Sequence, residues 1–143
     1  MKNKKGFTLI ELLAVIAILA ILAGIATPIV LTVQKNIKNK MLTAKIKEIK
    51  AAAVLYAEKE NLASDTKITI SKLCFSGFLD NDKEYQTCNN NSEENCKCQQ
   101  NPATSNPMGG CNIILTKQNN RWKAAFDGKK GSIISSDCPT SSD

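Results

Sequence analysis

The sequence predicts an α+β protein in which a long amino-terminal transmembrane helix continues outside the membrane and packs on a small antiparallel β-sheet head rich in disulfides. Three observations lead to this fold class. An uncharged apolar run covers residues 12–33, and a helical repeat of apolar residues follows it. Beyond residue 70 the chain carries all six cysteines and several short segments typical of strands. A chain of 143 residues has room for one membrane-entry helix and one modest domain.

The apolar run is long enough to cross a membrane. Its 22 residues carry no charge. At about 1.5 Å per helical residue they span about 33 Å, against a bilayer core of about 30 Å. Glu11 stands at the head of this run. A charge on a lipid-embedded helix costs about 2.5–3.5 kcal/mol, so an acid in this position indicates a function with a specific partner. Residues 7–33 are therefore predicted to form a transmembrane helix.

The helix is predicted to continue to residue 61, which makes it about 50 residues long. Residues 34–60 contain no Gly or Pro, and their apolar side chains recur at the spacing of one helix face. Inside the membrane segment we expect a mild kink at Gly24 and Pro28, because proline lacks the amide hydrogen that would bond to the Gly24 carbonyl. The predicted buried face comprises Leu42, Ile46, Ile49, Ala53 and Tyr56.

Residues 62–143 are predicted to form the head, and their signals are short. Residues 63–67 are typical of a turn, and residues 69–76 indicate either a short strand or one helical turn. Residues 80–110 are so polar that we expect disorder there in the absence of cross-links. The sequence after residue 110 predicts a small antiparallel meander. Its strands are expected at residues 112–117, 121–126 and 132–135, with turns at residues 118–120 and 127–131.

The even number of cysteines in a small polar head indicates a set of disulfides. The head has few residues with which to build a core, and a cross-link that closes a loop of about 15 residues can add about 3 kcal/mol of stability. The sequence leaves about fifteen pairings open. Two neighbouring cysteines, at 96 and 98, are expected in different bridges because so small a ring strains disulfide geometry. The cysteines are Cys74, Cys88, Cys96, Cys98, Cys111 and Cys138.

A zinc site is the alternative for Cys88, Cys96, Cys98 and Cys111. Structural zinc sites usually show a Cys-x(2–4)-Cys knuckle at each end, whereas this chain has Cys-x-Cys once and no His. We therefore expect no metal and no other cofactor. We also expect no enzyme activity. The chain has no His to act as a general base, no Gly-x-x-x-x-Gly-Lys phosphate loop and no Gly-x-Ser-x-Gly nucleophile turn.

Residues 4–11 read KKGFTLIE and resemble the class III signal of type IV prepilins and pseudopilins. In that family a membrane-bound prepilin peptidase cuts after the glycine and methylates the new amino terminus. The resemblance therefore implies cleavage between Gly6 and Phe7, followed by N-methylation of Phe7. Glu11 would become the fifth residue of the mature chain, for which the resemblance implies a role in assembly.

The resemblance implies a structural subunit of a type IV pilus or a related pilin-like filament, polymerised through its amino-terminal helix. One alternative is a pseudopilin of a type II secretion or DNA-uptake machine. Others are an anchored cysteine-rich binding module that does not polymerise, and an anchored thiol or zinc protein. The implied partners are the prepilin peptidase, the cytoplasmic membrane, other pilin-like subunits and the pilus or secretion assembly machinery. The expected domains are a cleaved leader (1–6), a transmembrane and assembly helix (7–33), its amphipathic continuation (34–61) and a cysteine-rich head (62–143).

The formal charge of +6 comes from lysines at the two edges of the membrane segment. Lys2, Lys4 and Lys5 favour a cytoplasmic amino terminus, whereas the six lysines of residues 35–50 favour the reverse. The cysteines suit an oxidising exterior, and the leader implies a cytoplasmic basic end. We therefore expect a single-pass N-in, C-out protein of the cytoplasmic membrane that then enters an extracellular filament. The lysines would permit contact with anionic lipid or DNA, but such residues more commonly form a solvated helix face, and nothing else supports DNA binding.

Overall fold

The computed structural model describes residues 7–82 and 96–140, apart from the side chains of residues 25–28. These residues form one long helix, one short helix and a four-stranded sheet in the order β1-β2-β3-β4, with every neighbouring pair antiparallel. The predicted α+β class, with a long amino-terminal helix and a small antiparallel sheet, is confirmed. The elements are α1 (Leu9–Lys59), β1 (Thr66–Thr69), α2 (Ile70–Phe75), β2 (Cys111–Gln118), β3 (Arg121–Lys130) and β4 (Ile133–Ile134).

The long helix α1 contains 51 residues, which confirms the predicted single helix of about 50. It ends where Asn61 adopts a left-handed backbone with φ 50°. The Leu62 amide donates to the Ala57 carbonyl at 3.1 Å, and the Asn61 amide donates to the Glu58 carbonyl at 3.3 Å. This pair of bonds is a Schellman motif, which satisfies carbonyls at the helix end. The helical assignment runs through Gly24 and residue 28 without interruption, and the kink stays a prediction.

The chain divides into two compact units, one ending at Ile37 and the other beginning at Lys38. In the second unit, one face of α1 supplies much of the core. Ile46, Ile49 and Ala53 are 0–1% exposed and Tyr56 is 8% exposed, so the predicted face is confirmed. The 3.6-residue period places these side chains in one stripe. Full burial of each isoleucine contributes about 1.5–3 kcal/mol. Leu42 is half-buried at the edge of this core.

Strands β2 and β3 form the centre of the head. Asn119 and Asn120 connect them, both in the left-handed region with φ 49° and 61°. Such a two-residue turn matches the twist of a hairpin and favours Asn, so the predicted turn is confirmed. The second predicted turn, residues 127–131, is wrong. Strand β3 continues to Lys130, because an irregularity in its pairing with β2 and a left-handed Gly128 let the strand bend without ending.

Strand β1 replaces part of the turn predicted at residues 63–67. Thr66 and Lys67 pair with Leu115 and Ile114 of β2. The segment has only one buried apolar residue, so the strand depends on its partner for stability rather than on its own pattern. Residues 69–76, left open between a strand and a helical turn, form mainly helix. Thr69 caps α2 by accepting a hydrogen bond from the Lys72 amide at 3.2 Å.

Two disulfides join parts of the head that are distant in sequence. Cys74 bonds to Cys98, and Cys111 bonds to Cys138. Cys96 is also disulfide-bonded, so Cys96 and Cys98 belong to different bridges, as expected from the sequence. Cys96, Cys98 and Cys111 are therefore not available as zinc thiolates, which removes three of the four ligands of the alternative zinc site. Cys88 lies outside the described residues.

Part of the polar segment expected to be disordered without cross-links has a defined backbone. The Asp82 amide donates to the Cys98 carbonyl at 2.8 Å, and the Met108 amide donates to the Gln99 carbonyl at 2.7 Å. An isolated bridge joins Gln100 to Pro107. The Asp82 carboxylate also binds Lys45 of α1. The disulfides, the backbone bonds and this ion pair together attach the segment to the core.

We predict that native exported protein contains no free thiol. Stoichiometric alkylation without prior reduction would contradict this result. Mild reduction should expose the polar segment first, so limited proteolysis should then cut within residues 80–110 before it cuts the sheet. Peptide mapping should recover Cys74–Cys98 and Cys111–Cys138.

A second prediction concerns Gly109, where three segments of the head meet. A Cβ atom at this position would lie 2.2 Å from the Cys96 carbonyl oxygen and 2.7 Å from Ser71 Oγ. The Ser71 amide also donates to the Gly109 carbonyl at 2.7 Å. Gly109→Ala must therefore move the backbone, and we expect a loss of about 1–3 kcal/mol in the free energy of unfolding. Urea unfolding followed by Trp122 fluorescence measures this loss.

Gly110→Ala is the matched control for this measurement. Its Cβ would meet only the side chain of Lys130, with Cε nearest at 2.8 Å. A flexible lysine can move away at little cost, so we expect an unfolding midpoint close to that of the wild type. Equal midpoints for the Gly109 and Gly110 variants would contradict the close approach at Gly109.

Candidate assembly site at the helix amino terminus

Thr8 and Glu11 form a hydrogen-bonded cap at the start of α1. Glu11 Oε2 accepts from the Thr8 amide at 3.0 Å and from Thr8 Oγ1 at 2.8 Å. The Glu11 amide donates to the Thr8 carbonyl at 3.1 Å. A glutamate three residues after the N-cap that reaches back to the N-cap amide is one half of a capping box. Glu11 therefore caps the start of its own helix.

The electrostatics of this turn favour a carboxylate. Glu11 lies in the first turn of α1, where the aligned peptide dipoles place partial positive charge. Within the described residues, the hydrogen bonds that this carboxylate accepts both end on Oε2, so its Oε1 can accept from a cation. In the described part of the chain the ion pairs are Lys45–Asp82 and Lys67–Asp127, and neither involves Glu11. The site thus holds a fixed carboxylate with one oxygen that can take a charged partner.

The apolar side chains around this carboxylate are exposed on every side of the helix. Leu9 is 80% exposed, Ile10 75% and Ile21 65%, and the residues of the window most suited to a membrane are not buried within the chain. Among the described residues, α1 is the helix that is long and apolar enough to cross a membrane. Exposed apolar surface of this extent requires lipid or another protein surface to cover it.

The other predicted site residues are distributed along the chain. Phe7 directly precedes the cap and is 76% exposed. Gly6 lies outside the described residues. Gly24 lies in α1 with open space around it, since a Cβ there would meet nothing within 4 Å. The side chain of Pro28 is not described. Phe7 is therefore next to Thr8, which binds Glu11, while the cysteines belong to the head.

Thr8 is the residue of this site that the sequence reasoning missed. Its signal was present, because a threonine followed three residues later by a glutamate, just before an apolar run, is the spacing of a capping box. Glu11 also stands out as a charge in an apolar run, so the sequence indicates its charge more plainly than its bond to Thr8.

The family model described as the prokaryotic N-terminal methylation motif matches residues 1–27. This motif is the class III prepilin-type signal of type IV pilins and pseudopilins. Comparisons with curated proteins and with solved structures gave no match. The match confirms the resemblance of the amino-terminal segment, and the candidate transmembrane helix and the disulfides agree with the predicted ones. The motif supports a type IV pilin-like or pseudopilin subunit and points to a structural role.

Proposed function

We propose that this chain is a structural subunit of a type IV pilus or a related pilin-like filament, cut between Gly6 and Phe7, N-methylated on Phe7 and polymerised through its amino-terminal helix. The proposal rests on two features that overlap in the sequence, a processing motif and an apolar helix surface. The methylation motif covers residues 1–27, and it overlaps a helical surface on which Leu9, Ile10 and Ile21 are largely exposed. That surface can serve first as a membrane anchor and then as a filament contact.

The two parts of α1 support different roles within this proposal. The described apolar side chains before Ile37 are exposed, whereas Ile46, Ile49 and Ala53 are buried in the core of the head. A helix that is apolar all round is suited to lipid or to a bundle of similar helices, whereas a one-sided stripe is suited to packing on a domain. The proposed domains are the leader (1–6), the transmembrane and assembly helix (7–33), its amphipathic continuation (34–61) and the head (62–143).

An N-in, C-out orientation fits the chemistry at both ends of the anchor. The leader carries Lys2, Lys4 and Lys5, which favour the cytoplasmic side. The disulfides of the head need an oxidising compartment. The proposed partners are the prepilin peptidase, the cytoplasmic membrane, other pilin-like subunits and the machinery that assembles the filament.

The pairing of Glu11 with a terminal amine is the proposed basis of assembly. Cleavage would convert the nitrogen of Phe7 from a peptide nitrogen into an amine, and methylation would keep it basic. The Thr8 amide already donates to Glu11 Oε2 at 3.0 Å. The new amine would form on Phe7, the residue next to Thr8, and Glu11 Oε1 could accept a hydrogen bond from it. The amine of a neighbouring subunit could use the same oxygen and would set the axial position of that subunit.

Intact mass of the exported protein tests the proposal. We expect the mature form to lack the six residues of the leader and to carry one added methyl group. Sheared cell-surface material should contain this form in polymers. Retention of the leader would instead support an anchored binding module that does not polymerise, and bound zinc would support an anchored metal protein.

A further inference from the structure

Three side chains of the sheet meet around one carboxylate oxygen, away from the amino-terminal site. Lys67 of β1, Asn112 of β2 and Asp127 of β3 form this group, which we call the sheet triad. Asp127 Oδ2 lies 3.2 Å from Lys67 Nζ and 3.3 Å from Asn112 Nδ2. The two nitrogens share a second acceptor, the Gly131 carbonyl oxygen, at 3.5 Å and 2.7 Å respectively. An amine and a carboxamide are thus held side by side by two common acceptors.

The strand register produces this meeting. Lys67 is opposite Ile114, and Thr69 is opposite Asn112. Residues two apart on a strand share a face, so Lys67 and Asn112 are diagonal neighbours on one face of the sheet. The pairing of β2 with β3 is irregular between Cys111 and Ile113. Such an irregularity places extra residues at one point of the ladder and can redirect a side chain.

The sheet triad is partly shielded from water. Asn112 is 3% exposed and the Asp127 side chain is 14% exposed, while Lys67 approaches from the solvent side with half of its side chain exposed. Burial of Asp127 favours its neutral form. The hydrogen bonds that the carboxylate accepts, from the Lys129 amide and from the other two members of the triad, outweigh that effect with the help of the lysine charge. They hold the pKa of Asp127 below its ordinary value, so the carboxylate is ionised and attracts the Lys67 ammonium.

We propose that Lys67 and Asn112 join in an intramolecular isopeptide bond, with Asp127 as the group that moves the proton. The geometry places a nucleophile and an acyl group each within 3.3 Å of the same carboxylate oxygen, and acyl transfer requires such positioning of its groups. This proposal does not depend on filament assembly, because every atom involved belongs to the head.

The reaction balances without any other reactant. Asp127 Oδ2 accepts a proton from the Lys67 ammonium, and the free amine attacks Asn112 Cγ. The bond between Cγ and Nζ forms, and the bond between Cγ and Nδ2 breaks. Asp127 passes its proton to the departing nitrogen, and two protons in all move from Nζ to Nδ2. One ammonium ion leaves and takes the positive charge of Lys67 with it. The total charge of the protein and the released ion is unchanged, and nothing is oxidised or reduced.

The cross-link would act at one edge of the sheet. Among the described residues, strand β1 has four residues and pairs with β2 alone. An edge strand of this kind can separate from its partner. A covalent bond between Lys67 and Asn112 would hold β1 on β2 even when the hydrogen bonds between them open.

Intact mass of the full-length chain tests the proposal, after extraction in detergent and then complete reduction, alkylation and denaturation. We expect most molecules to be lighter by one ammonia than the sequence requires, once the leader and the methyl group are counted. Proteolysis should release a branched peptide that contains both Lys67 and Asn112. A wild-type mass without this deficit overturns the proposal.

Variants separate the isopeptide bond from other losses of ammonia. Lys67→Arg keeps the positive charge but removes the attacking amine, and Asp127→Asn keeps the size of the side chain but removes the base. Both should restore the full mass. Lys123→Arg is the matched control, because Lys123 Nζ contacts the amide oxygen of Gln118 at 2.8 Å without a carboxylate beside the pair in the described part of the chain. The control should keep the deficit. A deficit that persists in Lys67→Arg assigns the loss to another residue and also overturns the proposal.

Discussion

Glu11→Ala is expected to yield a subunit that is inserted and cleaved but absent from filaments. A carboxylate cannot be hydrated in hydrocarbon, so it needs a cationic partner or must be neutral. The proposed partner is the amine of Phe7, either its own or that of a neighbour. Removal of the carboxylate leaves the peptidase site at Gly6 intact but removes the contact that would align subunits. Immunoblots of membrane and sheared filament fractions, with the variant as the only major subunit, measure the outcome.

Two further variants distinguish charge pairing from helix capping. Glu11→Gln keeps an oxygen that can accept from Thr8 but removes the charge, so it should fail to assemble as Glu11→Ala does. Thr8→Val removes the hydroxyl bond of 2.8 Å but keeps the charge. Loss of a cap costs about 1 kcal/mol, which a long helix held in a membrane can tolerate, and assembly should continue. Wild-type filament yield with Glu11→Ala would refute the pairing role.

Gly6→Val is expected to leave the uncleaved precursor in the membrane and to abolish filaments. The resemblance to prepilins implies a peptidase that requires a residue without a side chain before the cut. Without cleavage the nitrogen of Phe7 remains a peptide nitrogen, so neither the methyl group nor the amine for Glu11 can form. Mass spectrometry of the membrane fraction should show the full-length chain.

The same substitution at Gly24 is the control for Gly6→Val. A Cβ at Gly24 would meet nothing within 4 Å, and the residue lies 18 positions beyond Gly6 in the sequence. Gly24→Val should therefore be cleaved as the wild type is. Normal-sized mature protein from Gly6→Val, with the same yield as from Gly24→Val, would contradict the assigned cleavage site.

Much of the amino-terminal half could be predicted because its signals are local. The absence of charge in residues 12–33 and the 3.6-residue period of residues 42–56 are visible in short stretches of sequence. In the structure both ranges belong to one helix, and residues 42–56 supply its buried stripe. The proposed cleavage and assembly residues lie in a short motif that a family model also matches. The role of Thr8 was not predicted, because it consists of a bond to Glu11, whose charge suggests a different function.

In the head, the sequence predicted the central hairpin and the short strand β4. Strand β1 begins within the predicted turn, because its polar sequence shows no clear alternation and it pairs with a segment more than 40 residues away. The end of β3 was placed too early because a glycine and a charged residue are typical of turns, whereas here a left-handed Gly128 bends a continuing strand. Polar strands of this kind are decided by their partners rather than by their own propensity.

The sequence by itself determined the processing signal, the length of the helix, the face that the head covers and the need for disulfides, because each follows from composition or from a period of a few residues. Only the tertiary structure decided which cysteines pair, why Gly109 has no room for a side chain and how Lys67, Asn112 and Asp127 come to share one oxygen. Those contacts join residues far apart in the chain, and their geometry arises only when strand register, bulge and loop packing are satisfied together.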